Sequence, residues 1–327
     1  MSLEYAGLLY WDRTLALRDG SVKPIGVDLT YRVFEDPGEL FVRQCQDAEF
    51  ETSELSLSSY LAMISRGDDR FVGIPVFPSR HFRHAQIYVN VDAGIERPAD
   101  LIGRRVGVLE YQMTAAVWIR AFLEHDFGVA PSDVDWVTGG LRTPDDFAER
   151  LAINLPDDVS LRRIPPETTL ESSLENGQIS ALISAYPPLT MGTEGSRVAP
   201  LFADHRAVER DYYARTGIFP IMHLVAIRRD VYEADRSIAM RLYSAFKEAQ
   251  GVGRQRLHQV AGLAVSLPWL EAELQDTRNL FGDDPFPYGV SANKDVVDAL
   301  LRYALEQGIT VRELEIGDLF APETLNT

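Results

Sequence analysis

The sequence predicts an α/β protein of two lobes, the second inserted into the first, with a ligand cleft between them. Three observations carry this. Short apolar runs of strand length alternate with segments at helical spacing along the whole chain, the pattern of βα units and largely parallel sheets. The 327 residues exceed one ordinary core and suit two lobes of about 150 residues each. There is no internal repeat and no low-complexity linker, so strands crossing between the lobes are expected to join them.

Taken in order, strands are expected at residues 7–11 and 27–33, with a turn-rich loop at 20–26 between them. A helix follows near 37–46, then a strand at 50–55, and Ser58 is placed to cap the short helix ending near Gly67. Residues 70–76 form a strand, 78–84 a polar loop, and 85–91 a strand. A helical turn at 98–101 leads to a buried strand at 105–109. Ala115, Ile119, Phe122 and Leu123 then share one apolar helical face, which Gly128 and Pro131 end. Later come a helix at 167–176 stopped by Gly177, a strand at 179–184, and a loop at 216–220 before a strand at 223–227. Ile238, Leu242, Phe246 and Ala249 stripe a helix at 236–250, and a last helix at 295–307 ends at Gly308. With strands 85–91 and 223–227 as the crossings, lobe 1 is residues 1–87 and 226–327, and lobe 2 is 88–225.

Composition excludes several classes. Hydrophobic residues are 46% and charged residues 25%, a globular balance. No apolar run reaches the roughly 18 residues of a membrane span. A formal net charge of −17 opposes nucleic acid and anionic membranes as partners. The lone Cys45 allows no internal disulfide, and residues 1–7 show no leader pattern, so a cytoplasmic location is expected. The sequence lacks GxSxG, HExxH, CxxC and P-loop motifs.

Four clusters carry candidate chemistry. Arg80, His81, Arg83 and His84 combine bidentate carboxylate donors with groups that titrate near neutral pH. The alternative is a solvated basic loop; a metal on His81 and His84 lacks evident further ligands, and none is expected. Second, a buried strand turns directly into a helix at Tyr111, Gln112 and Thr114, offering backbone N–H groups to an anion, unless Thr114 simply caps that helix. Third, Glu54 falls at the carboxyl end of a strand, beside Ser56, as a base or as a cap. Fourth, Phe219, His223 and Tyr186 stand near the return crossover, as an apolar wall, a cleft histidine and a ligand-facing aromatic, or as core.

Together these stretches resemble the 4,5-dihydroxyphthalate decarboxylase family, which shares the type II periplasmic-binding-protein-like fold. The similarity lies in Tyr10-Trp11-Asp12-Arg13-Thr14, Val22-Lys23-Pro24-Ile25-Gly26-Val27, and Ser53-Glu54-Leu55-Ser56-Leu57-Ser58-Ser59-Tyr60. It continues in Pro75-Val76-Phe77-Pro78-Ser79-Arg80-His81-Phe82-Arg83-His84 and in Glu110-Tyr111-Gln112-Met113-Thr114-Ala115-Ala116-Val117-Trp118. The later half is similar through Gly217-Ile218-Phe219-Pro220-Ile221-Met222-His223.

The resemblance implies cofactor-independent decarboxylation of a hydroxylated aromatic acid, as from 4,5-dihydroxyphthalate to 3,4-dihydroxybenzoate. The expected partner is then a small aromatic carboxylate, with a homo-oligomer left open. On that reading Arg80 and Arg83 clamp a carboxylate with help from the Thr114 helix start. His84 or His81 donates a proton, and Glu54 or His223 handles the hydroxyl. The alternatives are a solute-binding protein of an ABC-type transporter for a small carboxylate, and a sensing or precursor-synthesis relative using another ring compound.

Overall fold

Apolar alternation begins earlier than expected. The first strand, β1, spans Ser2–Leu8 and not residues 7–11, with Leu3, Tyr5 and Ala6 buried. The computed structural model describes the chain except residues 10, 145–149, 152–153, 260 and 264, so Tyr10 lies outside the described residues. Trp11 follows as the residue before a 3-10 turn, Asp12–Thr14.

The chain forms two compact units. One comprises Met1–Arg80, Ile221–Asp298 and Leu314–Thr327; the other comprises His81–Pro220 and Ala299–Glu313. The expected boundaries stood at 87/88 and 225/226. The chain passes from one unit to the other at Arg80–His81 and returns at Pro220–Ile221.

The first unit holds a five-stranded sheet of β1, β2 (Asp28–Phe34), β3 (Thr52–Ser56), β4 (Phe71–Arg80) and β11 (Ile221–Arg228), in the order β2-β1-β3-β11-β4. β1 pairs in parallel with β2 and β3, whereas β11 is antiparallel to both β3 and β4. The sheet is therefore mixed, against the expectation of largely parallel sheets. β11 returns after a long excursion and enters between two strands that were laid down early, so its direction is not set by a βα crossover.

β3 and β4 are buried at every residue. Residues 78–84 were expected as a loop opening on Pro78, yet β4 runs on to Arg80. It is the outermost strand of its sheet, where a missing N–H breaks no ladder. Its outer side is covered instead by later segments: Ala321 N donates to Gly73 O at 2.9 Å and Gly289 N to Pro75 O at 2.8 Å. The register of β4 against β11 slips on both sides of His223. Such bulges re-aim a strand locally and are common beside functional sites.

Helix Pro37–Asp47 starts with proline in its first turn and the Asp36 side chain accepting from Gly38 N, which satisfies an orphan donor. Helix Leu57–Ser65 leaves the end of β3 without a loop. Its N-cap is Ser56, and Ser58 lies inside the helix, correcting the expected cap. Helix Ile238–Leu257 outlasts its apolar stripe by two turns.

The second unit contains β5 (Ile87–Asn90), β6 (Arg105–Val108), β7 (Asp135–Thr138), β8 (Leu161–Arg163), β9 (Ala181–Ile183) and β10 (Val198–Pro200). Their order is β10-β5-β9-β6-β7-β8. β6 is parallel to β7 and β9, and β5 is antiparallel to β9 and β10. The outward crossing expected at 85–91 is thus an interior strand of this sheet. Among the described residues, no helix is long and apolar enough to cross a membrane.

Candidate functional site

In an antiparallel pair, residues directly opposite share a face, and diagonal neighbours on that face come within reach of long side chains. Glu54 lies opposite Val225 and Ser56 opposite His223, so Glu54 and His223 are such diagonal neighbours. Their side chains meet: His223 Nδ1 is 2.6 Å from Glu54 Oε1. A carboxylate only accepts, so Nδ1 carries the hydrogen, which leaves the lone pair of this tautomer on Nε2.

Glu54 has 0% exposure and is met by further donors. Trp11 Nε1 lies 2.9 Å from both carboxylate oxygens, and Leu8 N donates to Oε2 at 3.4 Å. The His223 ring stands edge-on to Phe41, with centroids 4.8 Å apart, and its side chain is 14% exposed. The imidazole is thus held at Nδ1, and its side chain is partly accessible.

Three tyrosines lie near enough to feel the Glu54 charge. Burial, the main cause in each case, raises the pKa of Tyr5, Tyr31 and Tyr288, and the nearby Glu54 adds to it. All three stay protonated donors at neutral pH. Tyr31 OH donates to Leu8 O at 3.2 Å; the hydroxyls of Tyr5 and Tyr288 have no hydrogen-bond partner among the described residues.

Arg13 anchors the segment that carries Trp11. Its Nε donates to Pro78 O and its Nη1 to Asp12 Oδ1 at 3.0 Å. Its guanidinium lies 4.5 Å from the Trp11 ring centroid and 4.6 Å from that of Phe286. Helix Ile238–Leu257 approaches this segment closely at Gly253, where an added Cβ would stand 2.7 Å from Asp12 O.

The other predicted residues are placed as follows. In the first unit, Arg80 is buried and its Nη2 donates to Pro287 O at 3.0 Å and to Asn293 Oδ1, which ties β4 to the later chain. Ser56 Oγ is buried, 3.5 Å from Ser58 Oγ. In the second unit, Arg83 is buried, pairs with Gln86 Oε1, and has its pKa lowered to about 10 by burial. His81 is exposed, with Nδ1 against Phe82 O. Phe82 packs on Phe219 at 4.7 Å, and Tyr186 is exposed.

Tyr111 is fully buried beneath the Arg120 guanidinium, 3.5 Å from its ring centroid, and so packs inward. Gln112 is buried, and Thr114 is the first helical residue, behind the N-cap Met113. His84 stacks on Phe122 at 4.0 Å and lies beside Phe202 and Tyr212. Burial first, then the Arg215 charge, lowers its pKa to about 4. A ring held neutral in an aromatic box is a poor proton donor at neutral pH. Metal-ligand types converge elsewhere, at Glu124, His125 and Glu306, whose ligand atoms lie within 4.8 Å of one another.

Sequence reasoning selected Glu54 and His223 separately and missed Trp11 and Arg13 as their neighbours. The available signal was a partly buried tryptophan's need for an acceptor.

Two predictions follow from these environments. Between pH 6.5 and about 4 the unfolded chain binds a proton that native His84 refuses, so stability falls as pH falls through that window. His84→Phe should flatten the slope, by about 3 kcal/mol at most across the window, in urea titrations at stepped pH; an unchanged slope would count against a buried neutral ring. In helix Ile238–Leu257, Gly253→Ala should lower stability by about 1–3 kcal/mol and displace Trp11. Gly251→Ala, with nothing within 4 Å, should be neutral or stabilise by up to about 1 kcal/mol. Melting curves with Trp fluorescence read both.

No protein-family model matches the chain. A 4,5-dihydroxyphthalate decarboxylase of Comamonas testosteroni is 38% identical over 317 residues, covering 97% of this chain and 96% of that protein. A 4,5-dihydroxyphthalate decarboxylase of Pseudomonas putida is 41% identical over 201 residues, covering 62% of this chain and 77% of that one. Among solved structures, the periplasmic aliphatic sulphonate binding protein SsuA from Escherichia coli matches with a TM-score of 0.54 at 14% identity, covering 100% of this chain and 99% of that one. That likeness bears out the periplasmic-binding-protein-like fold. On the sequence relatives, with near-complete coverage of the first, the chain belongs to the 4,5-dihydroxyphthalate decarboxylase family.

Proposed function

We propose that the protein decarboxylates a hydroxylated aromatic dicarboxylic acid of the 4,5-dihydroxyphthalate type, with the Glu54–His223 pair as its acid–base centre. The observation that carries the assignment of residues is the 2.6 Å contact between a fully buried carboxylate and a partly accessible imidazole.

The chemistry follows from the substrate class. In 4,5-dihydroxyphthalate each carboxylate has a hydroxyl para to it. His223 Nε2 takes the hydroxyl proton, and the ring electrons move toward the carboxylate-bearing carbon. A proton adds to that carbon, the bond to the carboxylate breaks, and its electron pair returns to the ring as CO₂ leaves. The phenolate then regains a proton, so one proton is consumed per turnover. Glu54 steadies the imidazolium and fixes its tautomer; it is a positioning residue. A general base placed in this way contributes about 10² to 10⁴ in rate.

The test is CO₂ release from 4,5-dihydroxyphthalate by the purified protein. His223→Ala should lower kcat by about 10²-fold or more with KM little changed. Glu54→Gln should keep the fold and lose most of the rate, because the ring is no longer held in one tautomer. A His223→Ala variant within threefold of the parent would overturn the assignment, and a parent inert toward hydroxylated phthalates would overturn the reaction itself.

A further inference from the structure

We propose that Arg13 is the residue that binds the carboxylate retained in the product, resting on the reading of Glu54 and His223 as the reacting centre. The sequence alone assigned this role to Arg80 and Arg83. The structure gives Arg80 a different task, since its guanidinium is tied to Pro287 O and Asn293 Oδ1. Arg13 stands otherwise. It stacks on the indole of Trp11, whose Nε1 holds both oxygens of Glu54. The cation and the acid–base pair thus share one side chain as their spacer.

Its geometry suits a planar anion. Pro78 O fixes Nε, and the Trp11 and Phe286 rings lie within 4.6 Å of the guanidinium carbon, which together set the orientation of the fork. Nη1 reaches Asp12 Oδ1, and Nη2 makes no hydrogen bond among the described residues. The side chain is 13% exposed, so part of it reaches solvent. The Asp12 carboxylate is 45% exposed, and such a surface pair exchanges for a better partner at little cost. Two nearby phenols without partners, Tyr5 and Tyr288, are further donors in the same unit.

Electrostatics decides which carboxylate Arg13 takes. Decarboxylation turns an anionic group into neutral CO₂. A guanidinium on the departing group would stabilise the ground state more than the transition state and slow the reaction. On the retained carboxylate the charge is unchanged throughout, and the same contact supplies binding and orientation without opposing bond cleavage. A cation this close to the acid–base pair therefore belongs with the group that stays.

The experiment measures dissociation constants of 4,5-dihydroxyphthalate and of 3,4-dihydroxybenzoate by calorimetry, for the parent, Arg13→Gln and Arg13→Lys. The substrate titration uses Glu54→Gln as background, to prevent turnover. Arg13→Gln should weaken both ligands by a similar factor, about 10- to 100-fold for a lost charge-assisted contact. Arg13→Lys keeps the charge without the fork and should fall between. If Arg13→Gln melts early, the lysine variant alone decides, and product affinity equal to the parent's overturns the proposal. Unchanged affinity in Arg13→Gln for both ligands, or loss for the dicarboxylate only, also overturns it. Product binding is read without turnover, so a parent that releases no CO₂ would sink the proposed reaction and still leave this test readable.

Discussion

Burying an ionised carboxylate costs several kcal/mol unless donors replace the water it loses. Glu54 meets that constraint with an indole N–H, a backbone N–H and an imidazole N–H, drawn from the turn after β1, from β1 itself and from β11. Two stretches of chain distant in sequence, residues 8–11 and β11, are therefore tied to one pair of oxygen atoms. The bulges flanking His223, the glycine that lets a helix press on Asp12, and the guanidinium stacked on Trp11 all hold those donors in place. Loss of any one donor leaves a charge partly unsatisfied where water does not reach, so the site and the sheet around it are stable or unstable together.

Much of the first unit was legible in the sequence because its signals are local. The strand patterns of β2 and β3, the helix opened by Pro37, and the stripe on Ile238, Leu242, Phe246 and Ala249 depend only on neighbours. Glu54 and His223 were legible as strand-end polar residues. Their meeting was not, because it depends on the register of β11 against β3, and no periodicity encodes a pairing across 169 positions. Pro78 misled at β4: a proline marks a break in an interior strand, and nothing local says that a strand is outermost. His84 misled in the opposite way. Its loop is polar in sequence, but Phe122, Phe202 and Tyr212 reach it from elsewhere and turn it into core.

Fold and chemistry separate cleanly here. A solute-binding architecture supplies two sheets and a set of cationic and polar side chains, and those alone would serve for carriage. On the proposed reading, the imidazole held by a buried acid adds the capacity to take and return a proton, which the scaffold by itself does not supply.

The late position of β11 has a further consequence, in the order of synthesis. The strand fills the slot between β3 and β4, yet it emerges from the ribosome about 140 residues after β4 is complete. During that interval β3 and β4 lack the partner that joins them, and Glu54 waits without its histidine. The incomplete sheet presents unpaired edges of apolar strand, the kind of surface that seeks other chains. The inserted unit, meanwhile, has all the strands of its own sheet before β11 appears. Closing the first sheet thus waits for β11, and a chain halted before Ile221 would keep those edges open and be prone to associate.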